Sequence, residues 1–187
     1  MRKVIVSEFL TLDGVMADPG GAEKTEHGGW SFKFWSEEAA KFKFDELFAS
    51  DALLLGRVTY QGFAAAWPSM TDAEGFAERM NSLPKYVVST TLEEATWNNT
   101  KLIKGNVAEE VSQLKQQRGQ DILISGSGKL IHTLMQYNLI DEYRLMVHPI
   151  IVGGGQRLFE SGSDMAVLKL IDAKTFSSGI VLLQYQL

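Results

Sequence analysis

The stretch that decides the fold reads Asp121-Ile122-Leu123-Ile124-Ser125-Gly126-Ser127-Gly128-Lys129. Its apolar run is typical of a buried β-strand, and its two glycines mark a turn into a segment with helical spacing. A second stretch of the same kind reads Leu53-Leu54-Leu55-Gly56-Arg57-Val58-Thr59-Tyr60. The sequence therefore predicts two junctions at which a buried strand passes through glycine into a helix.

Both junctions are predicted anion-binding sites. A helix that starts directly after a strand presents free backbone N–H groups and the positive end of its dipole. Two such junctions in one small domain predict a ligand with more than one phosphate, such as a dinucleotide. The alternative is a pair of tight turns without a ligand, in which Arg57 pairs with a surface carboxylate. The Ser125–Gly128 loop is not a Rossmann fingerprint, because the third glycine would fall at Ile131.

Strands and helices alternate around these junctions. Strands are predicted over Val4–Leu10, Ala52–Leu55, Lys85–Ser89, Ile122–Ile124 and a longer run from Glu142 to Val152. Helices are predicted over Glu37–Ala49, Val58–Ala66, Val107–Arg118 and Lys129–Tyr137. The last runs, Val167–Phe176 and Ile180–Gln186, are predicted to form a hairpin. This pattern predicts one α/β domain over residues 1–187, with three layers and a mixed central sheet.

The composition excludes several classes of function. The formal charge is −5, and no cluster of Lys and Arg is present, which argues against a nucleic-acid partner. The absence of cysteine excludes disulfides, thiolate zinc sites and cysteine nucleophiles, and fits a reducing cytoplasm. No apolar run approaches the ~18 residues that span a membrane. The His residues are scattered, so no metal site is predicted.

Five motifs follow one another along nearly the whole chain. They are Thr11–Val15, Leu55–Tyr60, Tyr86–Thr90, Ile124–Gly128, and Asp141–Leu145 followed by His148–Gly155 and Leu158-Phe159. Each motif alone is weak evidence of a family, whereas the ordered set is fairly specific. In this order the motifs resemble the dihydrofolate reductase-like fold. The nearer resemblance is to the C-terminal reductase domain of the bifunctional riboflavin-biosynthesis deaminase–reductase and its stand-alone bacterial relatives.

The resemblance implies an NADPH-dependent reductase that transfers hydride to a small heterocycle of the pyrimidine or pterin class. It is related to 5-amino-6-(5-phosphoribosylamino)uracil reductase, and such domains commonly form homodimers. By position, Gly56, Arg57 and Thr59 would bind the pyrophosphate region, and Ser89 with Thr90 would face the adenosine ribose. The second phosphate loop would consist of Ser125, Gly126, Ser127, Gly128, Lys129 and Leu130.

Two positions depart from the family pattern. Riboflavin reductases tend to have a lysine six residues before the Asp of the Leu-Asp-Gly motif, where this chain has Ser7. Relatives that prefer NADP often have a basic residue after the strand serine, where this chain has Thr90. The first departure bears on the substrate. The second leaves Arg57 or Lys129 as the candidate partner of the extra phosphate of NADPH.

Four residues are candidates for the reaction itself. Asp13 is the candidate catalytic residue, with an ordered water as the alternative proton donor, because the resemblance implies that its loop lies beside the nicotinamide. An Asp-Gly pair is equally a turn signal. Trp30 and Trp35 are candidates for stacking on a heterocycle, with the hydrophobic core as their alternative place. Gly154 is a candidate substrate contact or a strand bulge.

Two other functions remain open at this stage. The main rival is a non-catalytic, dimeric nucleotide-binding or regulatory module of the same fold, and a weaker one is a flavin or mononucleotide binder. One scaffold hosts several functions, so fold resemblance does not separate these possibilities. Titration with nicotinamide nucleotides would separate them.

Overall fold

The computed structural model describes residues 1–160 and 165–187, and the strands in these residues join one sheet. Two short 3-10 helices, Trp30–Phe34 and Trp67–Ser69, lie in the connecting loops. The order of the other elements is β1 (Val4–Thr11), α1 (Glu37–Phe48), β2 (Ser50–Gly56), α2 (Arg57–Ala66), α3 (Phe76–Ser82), β3 (Lys85–Val88), β4 (Thr100–Ile103), α4 (Val107–Gln116), β5 (Asp121–Ser125), α5 (Gly128–Gln136), β6 (Glu142–His148), β7 (Lys169–Thr175) and β8 (Val181–Gln186).

The sheet is mixed, as the sequence predicts. Its strand order is β4-β3-β2-β5-β1-β6-β8-β7. Neighbouring strands from β4 to β6 run parallel, β8 is antiparallel to β6, and β7 is antiparallel to β8. The predicted hairpin is confirmed: Phe176 donates its backbone N–H to Ile180 at 2.8 Å, and Gly179 donates to Phe176 at 2.9 Å.

Helices cover both faces of the sheet, which confirms the three layers. Side chains of successive strand residues point to opposite faces. Val4 and Val6 of β1 pack in one apolar cluster with residues of α4 and α5. Ile5, between them, packs in another cluster with residues of α1, α2 and α3. The right-handed crossovers of parallel strands produce this division of the helices.

Local signals explain most helix and strand limits. Ser36 caps α1 by accepting a hydrogen bond from the backbone N–H of Ala39 at 3.2 Å. The strand predicted to continue to Val152 ends at His148 instead. Proline has no N–H to donate to a neighbouring strand, so Pro149 ends β6. In the described part of the chain, no helix is long and apolar enough to cross a membrane.

The helix α3 and the strand β4 were not predicted from the sequence. The buried side chain of Lys85 connects these two elements. Its side-chain ammonium group donates to the carbonyl oxygens of Asn81 at 2.9 Å, Leu83 at 2.8 Å and Asn98 at 3.0 Å. Two of these carbonyls end α3, and the third lies just before β4. Burial lowers the pKa of Lys85 to about 8. The hydrogen bonds of a lysine side chain therefore hold this region together, whereas apolar side chains hold the elements that the sequence pattern predicts.

We predict that Lys85→Met destabilises the protein. The substitution removes the donor of the three carbonyl oxygens, and buried polar groups without partners cost about 1–3 kcal/mol each, so the free energy of unfolding should fall by about 3 kcal/mol. Urea denaturation measures it, with Lys101→Met at an exposed position of β4 as the control. Equal stability of the two variants would contradict the role given to Lys85.

Candidate functional site

The candidate residues lie mainly along one edge of the sheet. Gly56 ends β2, Ser125 ends β5, Ser89 follows β3 and Asp13 follows β1. These strands are parallel, so their carboxyl ends meet at the same edge. In open α/β sheets, ligands bind in the crevice at that edge. The topology thus brings together loops that are far apart in the sequence.

The two glycine loops touch each other. The side-chain hydroxyl of Ser127 accepts a hydrogen bond from the backbone N–H of Gly56 at 2.8 Å and donates one to the hydroxyl of Thr59 at 3.0 Å. The starts of α2 and α5 are therefore adjacent, as the dinucleotide hypothesis requires. The Ser127 hydroxyl thus joins the two loops.

Small residues are required where the loops meet. Gly126 has a φ of +66°, and a Cβ at this position would lie 2.9 Å from the Thr59 hydroxyl oxygen. A Cβ at Gly56 would lie 3.3 Å from the Cβ of Ser127. Gly126 therefore needs glycine for both its backbone conformation and the space available, whereas Gly56 is constrained by space.

The first turns of α2 and α5 lack the negative groups that the other helices have. The Ser36 side chain caps α1 and Asn106 caps α4, and both helices have two acidic residues in the first turn. The Asp72 carboxylate accepts hydrogen bonds from two backbone amides at the start of α3. Within residues 1–160 and 165–187, α2 and α5 have neither a side-chain cap nor a first-turn acid.

Cationic side chains occupy these first turns instead. Arg57 is the first residue of α2 and Lys129 the second residue of α5, and both are exposed. A cation at a helix N-terminus opposes the helix dipole and costs a few tenths of a kcal/mol. An anion bound at both helices would offset this cost. The arrangement is therefore electrostatically suited to an anion.

Other predicted cofactor residues have structural roles in the protein. The Ser89 hydroxyl is buried and accepts hydrogen bonds from the backbone N–H groups of Thr91 at 3.2 Å and Leu92 at 2.9 Å. Thr90 is exposed beside it. The Leu130 side chain lies in the hydrophobic core, so only its backbone in the first turn of α5 can face a ligand.

Asp13 links two loops through its carboxylate, and the low pKa makes it a poor proton donor at neutral pH, while its catalytic role stays a prediction. Its carboxylate accepts hydrogen bonds from the hydroxyl of Thr11 at 2.6 Å and from the backbone N–H groups of Val152 at 3.2 Å and Gly153 at 2.9 Å. The Thr11 hydrogen bond is the main cause that lowers the pKa of Asp13 to about 2, with help from the two amides. The carboxyl group is therefore ionised at neutral pH.

A cavity of about 320 Å³ lies between the loops that follow β1 and β6. Trp30 and Gly154, both candidate substrate contacts, line it, together with Val15, Ala17, Thr25, Glu26, His27, Val152 and Gly155. The two loops pair directly through an isolated bridge between Val15 and Arg157. The cavity is thus formed by the same loops that Asp13 connects.

The two tryptophans differ in their surroundings. Trp30 is only 2% exposed, its indole N–H donates to the carbonyl oxygen of Ala17 at 2.9 Å, and its ring packs edge-on against His148. Trp30 therefore forms part of the cavity wall and is almost fully buried, in line with the core position given above as its alternative, and its contact with a substrate stays a prediction. Trp35 is 48% exposed and packs against Phe9, away from the residues that line the cavity.

Two buried titratable residues, His148 and Glu8, lie near this edge of the sheet and were not among the candidates. His148 donates from Nδ1 to the carbonyl oxygens of Met146 at 2.8 Å and Leu10 at 3.2 Å, but Nε2 has no partner among the described residues. Burial lowers the pKa of His148, so the ring is neutral. Glu8 is the one charged residue of the largely apolar strand β1, and it is buried. A single acid in an apolar run is the signal that identifies it in the sequence.

Comparison with known proteins identifies the family. The profile of the RibD C-terminal domain matches residues 2–182. The chain belongs to the RibD C-terminal domain family. It is 32% identical to the uncharacterized protein YyaP of Bacillus subtilis over 188 aligned residues, which cover 98% of this chain and 94% of YyaP. The resemblance inferred from the five motifs is thereby confirmed.

Solved structures confirm the fold. A protein from Shewanella sp. PV-4 assigned to riboflavin biosynthesis has a TM-score of 0.77 at 23% identity, with 98% of both chains covered. Dihydrofolate reductase from Enterococcus faecalis, in complex with NADP(H) and RAB-propyl, has a TM-score of 0.62 at 14% identity, covering 98% of this chain and 95% of that one. The RibD C-terminal domain of this protein thus has the dihydrofolate reductase-like fold.

We predict that Asp13→Asn weakens the protein in a pH-dependent way. The folded-state pKa of Asp13 is lowered from 3.8 to about 2, so the ionised carboxylate stabilises the fold above pH 4 and this contribution is lost as the pH falls toward 2. The melting temperature of Asp13→Asn should be below that of the wild type at pH 7, and the difference should shrink on acidification. A difference that is constant with pH would contradict the lowered pKa.

Proposed function

We propose that this protein is an NADPH-dependent reductase that transfers hydride to a small heterocycle of the pyrimidine or pterin class, related to 5-amino-6-(5-phosphoribosylamino)uracil reductase. The observation that carries this proposal is the pair of adjacent, uncapped helix N-termini at α2 and α5, joined through Ser127. A pyrophosphate has two anionic groups that match two such sites. Membership of the RibD C-terminal domain family supports the same function.

The cofactor residues divide by role. The backbone of Gly56 and Gly126 would approach the pyrophosphate, and the Arg57 and Lys129 side chains would neutralise it or the additional phosphate of NADPH. NADPH supplies the hydride when bound, and the protein's part is to bind and orient it. Ser89 and Thr90 would lie near the adenosine ribose. The Enterococcus faecalis enzyme of the same fold is bound to NADP(H), which supports this cofactor class.

The substrate would occupy the cavity between the loops after β1 and β6. Its volume of about 320 Å³ suits a single small heterocycle, because pockets for small ligands start near ~300 Å³. Trp30 gives the cavity an apolar wall, and Gly154 lines it without a side chain. Ionised Asp13 does not supply the proton, so an ordered water is the proposed donor.

We predict that NADPH raises the melting temperature of the purified protein and that Arg57→Ala largely abolishes the shift. Loss of a charge-assisted contact to phosphate should raise the Kd for NADPH by at least about tenfold. Lys129→Ala should act in the same direction, while Lys101→Ala, an exposed lysine on the edge strand β4, should leave the Kd unchanged. Isothermal titration measures the Kd for NADPH of the wild type and these three variants. Gly126→Val tests the close approach of the backbone to the phosphate and should also abolish the shift in melting temperature.

The outcome separates the two candidate functions. No binding of any nicotinamide nucleotide by the wild type would refute the cofactor assignment. Binding together with NADPH consumption in the presence of a pyrimidine, pterin or aldehyde would support the reductase. Binding without turnover would favour the non-catalytic, nucleotide-binding module, which the lack of a protonated Asp13 beside the cavity also favours.

We further propose that the protein forms a homodimer in the cytoplasm through its edge strand β7. This strand ends the sheet, and Leu170 and Ile171 on it are 50% and 43% exposed. An open edge with exposed apolar residues invites pairing with another chain. A second copy of this chain is the proposed partner, as is common in the family.

We predict that the wild type elutes at twice the chain mass of 20.8 kDa and that Ile171→Lys elutes as a monomer. A lysine on an apolar edge opposes strand pairing, since its charge would be desolvated in the interface. Light scattering after size-exclusion chromatography measures the mass. Met70→Lys, at an exposed apolar residue after α2, is the matched control and should remain dimeric. A monomeric wild type would refute this proposal.

A further inference from the structure

Glu8 lies directly beneath the glycine loop that starts α5. It pairs with Leu145 across β1 and β6, and on the other side it follows Ser7, which pairs with Ser125 at the end of β5. Because side chains alternate along a strand, Glu8 faces the same side as Val6 and Leu10, the side that α5 covers. Its residue surface is buried, with only 4% exposed.

The Glu8 carboxyl group has one contact to the loop and no close counter-ion among the described residues. The backbone of Gly126 lies close enough to the carboxyl group to lower its pKa, while Oε1 has no partner within the part of the chain that is described. The charged groups that act on it are Lys43 and Glu46, both on α1 at the other face of the sheet. Those two form an ion pair with each other. Glu8 is therefore a buried acid without a neutralising partner.

Burial without a counter-ion favours the neutral acid. Desolvation raises the pKa of Glu8 to about 8, against the lowering effects of Lys43 and of the Gly126 backbone, and Glu46 adds to the increase. The other carboxyl groups with a resolved pKa shift in the described residues, Asp13, Asp18, Glu38 and Asp72, are all shifted down. Among these five carboxyl groups, Glu8 alone has a raised pKa, and it keeps its proton at pH 7.

We propose that Glu8 is a positioning residue for the anion site: its neutral carboxyl group lies buried beneath the Gly126 loop and lets the loop keep its anion-binding conformation. The protonated form suits this role for two reasons. It leaves no ionised carboxylate buried without a counter-ion under the loop, and it places no negative charge below the first turn of α5. An ionised Glu8 would repel a phosphate at the same loop, in a medium of low dielectric constant.

The identity of the anion rests on the function proposed above, whereas the support of the loop does not. Two measurements keep these points separate. Titration with NADPH reports the effect on anion binding. Hydrogen exchange of residues 122–130 in the ligand-free protein reports the order of the loop itself.

The experiment compares the wild type with Glu8→Gln, a neutral side chain of the same shape. Above a pKa of about 8, loss of the Glu8 proton should raise the wild-type Kd for NADPH by up to about tenfold per pH unit, while the Kd of Glu8→Gln should stay level between pH 7 and 9. Glu142→Gln is the matched control, a buried carboxylate paired with Arg144 at the opposite end of β6, and should follow the wild type. Hydrogen exchange of residues 122–130 should be equal in the wild type and Glu8→Gln at pH 7, and faster in the wild type at pH 9.

A wild type and Glu8→Gln with the same pH dependence in both measurements would overturn the proposal. If no protein binds NADPH at any pH, the proposed function fails, and the exchange comparison alone decides the role of Glu8. If Glu8→Gln does not fold, the infrared carbonyl band of a protonated carboxyl group in the wild type decides. A band at pH 7 that disappears by pH 9, together with faster loop exchange, supports the proposal, and absence of the band at pH 7 refutes it.

Discussion

The hydroxyl group of Ser127 is the contact on which the arrangement of the site depends. It accepts from the backbone of Gly56 and donates to Thr59, so one side chain fixes the start of α5 against the start of α2. The pairing of β2 with β5 places the two helix N-termini side by side, and the Ser127 hydroxyl fixes the spacing between their loops. In the function proposed above, two linked phosphates would be held at this spacing. Glycine at positions 56 and 126 is what lets the loops come this close.

Most of the fold could be predicted from the sequence, because its signals are local. The apolar runs of β1, β2 and β5 and the turn at Gly179 each depend on neighbouring residues, and the structure agrees with them. The α3–β4 region could not be predicted, since a buried lysine with three carbonyl partners stabilises it. Pro149 also ended β6 earlier than the apolar pattern suggested, because the missing N–H outweighs side-chain hydrophobicity.

The candidate site was predictable in position and less so in chemistry. The motifs identified the glycine loops and Asp13, which the structure brings to one edge of the sheet. The low pKa of Asp13 comes mainly from the hydroxyl of Thr11, two residues away, with help from the backbone N–H groups of residues 152 and 153, which are distant in the sequence. The packing of Trp30 against His148 also depends on a contact distant in the sequence. Glu8 was overlooked because a strand pattern does not reveal whether a lone acid has a counter-ion.

The loop connection through Asp13 has a consequence for how such a domain can diversify. The two uncapped helix N-termini follow β2 and β5, whereas the cavity lies between the loops after β1 and β6, and Asp13 links only the second pair. The two regions meet at Gly128, where a Cβ would approach the side chains of Met16 and Gln156. Changes at other positions of the cavity loops can therefore reshape the cavity without disturbing the start of α5, so related chains can diverge in the small molecules that they accept.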